Sequence, residues 1–239
     1  LHGTSRRQRQ MCIRDRLPNS NGYTIVRDYL PGIAIEQFRM WAMNPNNAHR
    51  GNGSDGIYYD KHDGKRTYDV WWTTAPPKEM WLPVVLGLKK YIDVLFGSIQ
   101  WGIHAVDCIT TAPQSSKIYA HIDTPYRFEK YAKVDETLGV QIIIPLNAFT
   151  LENGGTAYLP GSHLENLYYK DIEDNQQHYN DRLVNEGHQF LAKAGDVLMY
   201  DGRTLHSTMP NKSNLYRSAL LINALREHVL EDALLLDNN

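Results

Sequence analysis

From residue 98 to residue 225 the chain is written as short β-branched and aromatic runs parted by turn signals, among them Asn153-Gly154-Gly155, Pro160-Gly161-Ser162, Gly195-Asp196 and Asp201-Gly202. Short strands with turns at regular spacing build a sandwich or a barrel. The spacing predicts strands near 98–110, 116–123, 138–147, 155–159, 188–192, 196–201, 204–209 and 216–225. About eight strands suffice for a jelly roll, so the expected fold is mainly β with flanking helices.

The residues before 98 supply the flanks. Tyr23 to Leu30 (YTIVRDYL) alternates as a first strand, and Pro31 opens a helix over Ile33 to Met43, with Ile35, Phe38, Met40 and Trp41 available for a buried stripe. Asn44 to Gly56 (NPNNAHRGNGSDG) has almost nothing to bury and reads as a long surface loop or a lid. Tyr68 to Trp72 predicts a strand. A helix follows from about Pro83 to Phe96, with Gly97 in the usual stop position.

A length of 239 residues with 42% hydrophobic and 22% charged side chains excludes a disordered, collagen-like or coiled-coil chain. The opening LHGTSRRQRQMCIRDR, residues 1–16, carries five arginines and no apolar stretch, and is expected to be a non-native or disordered leader. That leaves residues 17–239 as one domain, with its motif-bearing core at about 98–225. The formal net charge of -2 gives no basic field for a nucleic-acid partner. The longest apolar candidate for a membrane span, Leu82 to Phe96, is interrupted by Lys89, Lys90 and Asp93. Two cysteines, Cys12 and Cys108, build neither a disulfide framework nor a thiolate zinc site, which points to a reducing, cytoplasmic setting. Any metal site in a chain with ten histidines would be made of imidazole and carboxylate.

Such a site is suggested by His121-Ile122-Asp123, at the end of a predicted strand. Positions i and i+2 of a strand share a face, so an imidazole and a carboxylate point the same way, which gives two of the three ligands of a facial 2-His-1-carboxylate site. Downstream, Thr204, His206 and Thr208 share one face of a return strand, and His206 is the candidate third ligand. Arg217 follows eleven residues later, with Leu215, Ala219 and Leu221 on its parity. A guanidinium turned into a barrel needs an anion, either an internal acid or a carboxylate captured from outside.

Taken in order, these motifs have a counterpart. H-x-D, then E-N-G-G and P-G-S-H within Glu152 to His163, then His206 in H-S-x-x-x-N-x-S with Arg217 behind it, resemble the phytanoyl-CoA dioxygenase family of Fe(II)/2-oxoglutarate-dependent oxygenases over about Tyr119 to Leu225. The resemblance implies a double-stranded β-helix, a cupin-like jelly roll. It also implies that His121, Asp123 and His206 ligate Fe(II), that Arg217 pairs with the distal carboxylate of 2-oxoglutarate, and that Thr208 assists there. The implied reaction consumes O2 and 2-oxoglutarate, releases succinate and CO2, and hydroxylates a substrate. Asp123 is a carboxylate and not Gly or Ala, which argues against the halogenating relatives.

Tyr119 shares a face with His121 and is a candidate contact for the cosubstrate. Arg127, Gln141, Arg203 and His104 are candidate substrate contacts; Gln141 lies off the Val140, Ile142, Ile144 parity, and His104 has a parity that could face inward. His163 in the P-G-S-H turn is expected to hold a loop by hydrogen bonding. The chain shows no Lys/Arg cluster outside the leader to receive coenzyme A phosphates, so the expected substrate is a small soluble metabolite. An acyl-CoA hydroxylase and a non-catalytic cupin-like binding module stay open as alternatives.

Overall fold

The computed structural model describes residues 21–47, 71–97, 99–115 and 118–236. The expectations for the leader and for residues 48–56 of the long loop lie outside them. In chain order the elements are β1 (Tyr23–Val26), α1 (Gly32–Met43), β2 (Trp71–Thr74), α2 (Lys78–Leu95), β3 (Trp101–Thr111), β4 (Gly139–Pro145), β5 (Thr156–Tyr158), α3 (Tyr169–Asp174), α4 (Gln176–Glu186), β6 (His188–Gln189), β7 (Val197–Asp201), β8 (His206–Thr208), β9 (Arg217–Arg226) and α5 (Glu227–Leu236). Strands β1-β7-β4-β9-β3-β2 form one sheet and β6-β5-β8 a second, with every pairing antiparallel. The architecture is a jelly roll with flanking helices, as the strand spacing predicts.

Alternation along the central strands decides where the cores form. On β4, Val140, Ile142 and Ile144 turn outward with Val197 and Met199 of β7 and Leu220, Ile222 and Ala224 of β9. They pack against Phe38 and Ala42 of α1 and Val84, Val85, Leu88 and Ile92 of α2. Each such fully buried side chain contributes roughly 1.5–3 kcal/mol. The other parity, Ile143, Leu198, Tyr200 and Ala219, turns inward and meets Tyr158, Phe149 and Phe190. On α1 the buried stripe is Phe38 and Ala42, while Met40 is 68% exposed, contrary to its place in the predicted stripe.

Several segments depart from the sequence expectation, among them the strand expected at 188–192, which is only His188–Gln189. Of the strand expected at 116–123, residues 116–117 lie outside the described residues, and 118–123 pair only through the isolated bridge of His121 with His206, with a further bridge of Ser115 to Asn211 just before. Its backbone is tied by side chains instead: Tyr119 N–H donates to Ser207 Oγ (2.9 Å), Ala120 N–H to Asn180 Oδ1 (2.9 Å), and Gln176 Nε2 to the Ala120 carbonyl (3.0 Å). The first strand stops at Val26, because Arg27 and Asp28 turn away to bond with Asp196. Helix α2 starts after Pro77 and carries Pro83 inside it. Helices α3, α4 and α5 carry no sequence prediction; α4 buries Leu183 alone, too little for a stripe to be visible. Among the described residues no helix is long and apolar enough to cross a membrane.

Candidate functional site

Between the sheets lies a cavity of about 160 Å³ lined by His121, Asp123, His206, Tyr119, Gln141, Tyr200, Thr208, Thr111 and Arg217, with apolar walls that include Ile109, Ile143, Phe149 and Leu221. The local backbone explains how its polar groups come together. His121 and His206 exchange both backbone hydrogen bonds at 3.0 Å, so their side chains start from directly opposed positions, and the rings lie 4.1 Å apart. The Asp123 N–H donates to the Gly202 carbonyl at 2.8 Å, in the turn that leads toward His206. Gly139 lets this loop approach: a Cβ there would sit 2.6 Å from the Thr124 carbonyl oxygen.

Each imidazole is oriented by the carbonyl two residues before it. His121 Nδ1 is 2.7 Å from Tyr119 O, and His206 Nδ1 is 2.9 Å from Thr204 O. A carbonyl only accepts, so the proton is on Nδ1 and the Nε2 lone pair is presented to the cavity. His121 Nε2 lies 3.9 Å from Asp123 Oδ1, and His206 Nε2 lies 3.5 Å from Asp123 Oδ2. One ligand atom from each of the three residues falls within 4.8 Å of the others.

The electrostatics suit a cation. Burial lowers both imidazoles to about 4, with His206 adding to the effect on His121. Burial raises the Asp123 carboxyl to about 6, against the opposing pull of His121 and Arg127. At neutral pH the trio is therefore two neutral imidazoles and one desolvated carboxylate, a set of hard nitrogen and oxygen donors carrying one negative charge. Among the described residues the Asp123 Oδ2 atom is buried without a well-formed hydrogen-bond partner. A hard divalent ion such as Fe(II) fits this donor set, and the orphaned oxygen marks a carboxylate with bonding capacity still unused.

At the other end of the cavity Arg217 is 4% exposed. Its Nη1 donates to the carbonyls of Asn153 (2.8 Å), Gly154 (2.6 Å) and Met209 (3.2 Å), and its Nη2 to Thr111 Oγ1 (2.9 Å). The guanidinium also lies 5.5 Å from the centre of the Phe149 ring. All these partners are neutral, and burial draws its pKa down to about 10, so a full positive charge is held without an anion among the described residues. Gly154 is needed for this cradle: its φ is +65°, and a Cβ would sit 2.3 Å from the Pro210 carbonyl oxygen.

Of the sequence candidates, His121, Asp123, His206, Arg217, Thr208, Tyr119 and Gln141 meet at this cavity. Three do not line it. Arg203 pairs with Asp201 and Asp135, both at 2.8 Å, over the face of Tyr126; an acid two positions earlier in the same turn captures it. Arg127 is held at the surface by Glu173 at 3.0 Å, close enough to influence the trio only through its field. His104 sits beside a β-bulge and bonds Asn223 Oδ1 at 3.2 Å, behind Gln141, with which Asn223 also bonds. His163 packs against Gly22, and among the described residues its Nδ1 has no hydrogen-bond partner.

The motif residues around the site have clear structural work. Ser162 of P-G-S-H donates to the Leu159 carbonyl (2.7 Å) and accepts from the Leu205 N–H (2.9 Å), clamping the end of β5 to the residue before His206. Asn211 donates to the Ala112 and Leu215 carbonyls (3.0 and 2.8 Å) and accepts from Ser213, tying the loop between His206 and Arg217. Sequence reasoning missed Tyr200 and Thr111. Tyr200 shares its parity with Leu198 and was findable on that ground. Thr111 reaches Arg217 only through the β3–β9 register, which no local pattern reveals.

Comparison with known proteins agrees with this picture. The chain is 33% identical over 94 residues to the dioxygenase andF of Emericella variicolor, an alignment that spans 38% of this chain and only 29% of that protein. The α-ketoglutarate-dependent epimerase SnoN from nogalamycin biosynthesis superposes with a TM-score of 0.65 at 15% identity, covering 87% of this chain and 80% of SnoN. HygX from Streptomyces hygroscopicus, crystallised with nickel and 2-oxoglutarate, superposes with a TM-score of 0.63 at 13% identity, covering 94% of this chain and 88% of HygX. A family model, phytanoyl-CoA dioxygenase (PhyH), matches residues 19–219. The chain belongs to the phytanoyl-CoA dioxygenase family.

Proposed function

We propose that this protein is an Fe(II)/2-oxoglutarate-dependent dioxygenase that hydroxylates a small soluble metabolite, with release of succinate and CO2. His121, Asp123 and His206 hold the iron, and Arg217 holds the distal carboxylate of 2-oxoglutarate. The observation that carries the reading is Arg217: a buried cation with only neutral partners, in the same cavity as a cation-seeking trio. Burying an unpaired charge is costly, and a bidentate carboxylate is the partner that best offsets it.

When bound, Fe(II) supplies activation of O2 coupled to oxidative decarboxylation of 2-oxoglutarate. The side chains do the rest. The Tyr119 and Thr204 carbonyls keep both imidazoles in the Nδ1–H tautomer, so that each Nε2 is ready without proton loss. Arg217, set by four oxygens, orients the cosubstrate along the cavity; Thr208 and Tyr119 line the path between its two ends. Ile109, Ile143, Phe149 and Leu221 exclude water from the reacting space.

Gln141 is the substrate-facing polar residue. Its Oε1 accepts from Asn223 Nδ2 at 3.1 Å, which leaves its Nε2 to donate to an oxygen of the substrate. Arg217 is the only cationic side chain among the described residues lining the cavity, and it is committed to the cosubstrate. This favours a small neutral or zwitterionic substrate over an acyl-CoA, whose phosphates need further cations. The test is succinate release in air from Fe(II), 2-oxoglutarate and a panel of amino acids, phosphonates, nucleotides and acyl thioesters. Stimulation by a small metabolite and not by acyl thioesters is expected. Stimulation by thioesters alone would replace the substrate assignment, and no succinate under any condition would leave the non-catalytic binding module.

A further inference from the structure

Building on that metal-site reading, we propose that Tyr200 is a positioning residue of the metal centre, whose hydroxyl holds the Asp123 carboxylate in the orientation that serves the ion. Tyr200 lies on β7, opposite Gln141 of β4 and Tyr23 of β1, with its side chain turned into the cavity. Its ring centre is 4.7 Å from that of His206, and the residue is fully buried. The buried hydroxyl reaches toward Asp123 without completing a well-aligned hydrogen bond, and among the described residues no other group satisfies it.

Asp123 Oδ2 is in the same condition. A buried donor and a buried acceptor thus stand side by side in poor alignment, where buried polar groups are ordinarily paired. The two imidazoles do not relieve Asp123, because their protons are on Nδ1 and are given to backbone carbonyls. A carboxylate with one oxygen on a cation keeps the second as an acceptor. Among the described residues Tyr200 O–H is the side-chain donor that bears on the Asp123 carboxylate, close enough to interact but too poorly aligned to satisfy either atom. Hydrogen bonds of this kind fix a ligand's orientation and typically change metal affinity by about 10- to 100-fold when removed.

The proposal separates from a packing role by the sign of its effects. Tyr200→Phe keeps the ring and deletes the hydroxyl, which in the metal-free protein makes no good bond. We expect the melting temperature of the metal-free protein to stay level or rise. Ni(II) affinity, measured by competition with a chromophoric chelator, should fall roughly 10-fold. The visible bands of the Co(II)-loaded protein should change intensity as the freed carboxylate changes its mode of binding. An unchanged Ni(II) affinity, with or without a lower melting temperature, overturns the proposal and leaves Tyr200 as a core residue. Wild-type protein that binds no Ni(II) would sink the underlying metal-site reading, whereas equal binding by wild type and Tyr200→Phe sinks only the role of Tyr200.

Discussion

The two ends of the cavity solve opposite electrostatic problems by different means. At one end His121, Asp123 and His206 come together with each imidazole fixed by the carbonyl two residues earlier, and burial keeps both rings neutral with the one remaining proton on Nδ1. At the other end Arg217 is fixed by oxygens from three separate stretches, Thr111, Asn153–Gly154 and Met209, and keeps its charge. The first end is a negative site short of a cation, and the second is a positive site short of an anion. A bound metal with a dicarboxylate spanning the cavity would satisfy both, which explains why one fold tolerates two buried, uncompensated charges.

The sharpest way to break this comparison is to disable one end and read both. His206→Ala should cost more metal affinity than the roughly 100-fold reached by removing outer partners, because it deletes a donor atom itself. Equilibrium dialysis with metal analysis checks this. Arg217→Ala should leave metal affinity near the wild-type value and weaken 2-oxoglutarate by about 1.5–3 kcal/mol, the scale of a hydrogen bond to a charged group. Calorimetric titration of the metal-loaded protein reads it. Equal loss of both ligands in both variants would mean that the ends do not have separate roles.

Smaller effects should come from the supports. Ser162→Ala removes the acceptor of the buried Leu205 N–H and the clamp beside His206, and should lower stability by about 1–3 kcal/mol in a denaturant titration, with only a few-fold loss of metal affinity. Arg127→Ala is the smallest case: its partner Glu173 is exposed, such pairs are worth about 0–1 kcal/mol, and neither metal nor 2-oxoglutarate binding should change measurably. A strong effect of Arg127→Ala on 2-oxoglutarate would draw a second cation into the site.

The same contrast explains what was legible in the sequence. The isolated bridge that brings His206 against His121 was not legible, whereas the His121–Asp123 pairing was, because positions i and i+2 of extended backbone share a face. Arg217 was readable as an inward charge for the same reason, with Ala219 and Leu221 on its parity; Leu215 is exposed because the strand begins only at Arg217. Its cradle was not readable, since Thr111 meets it across a register of more than a hundred residues' separation. Arg203 misled because proximity to His206 in sequence says nothing about the acid two positions away that captures it. The stretch 116–123 misled in another way: its alternation is real, yet Asn180, Gln176 and Ser207 take its hydrogen bonds, and α4, which supplies two of those residues, is almost wholly polar on its own.

The account is tested most directly by anaerobic titration of the Fe(II)-loaded protein with 2-oxoglutarate, followed in the visible region. The wild type should develop a weak metal-to-ligand charge-transfer band that saturates with one cosubstrate. Arg217→Ala should need roughly 10-fold or more 2-oxoglutarate to reach the same band, from the loss of a charged hydrogen bond, and His206→Ala should give none. A wild type without the band, or an Arg217→Ala variant that saturates at the wild-type concentration, would contradict the division of the cavity into a cation end and an anion end.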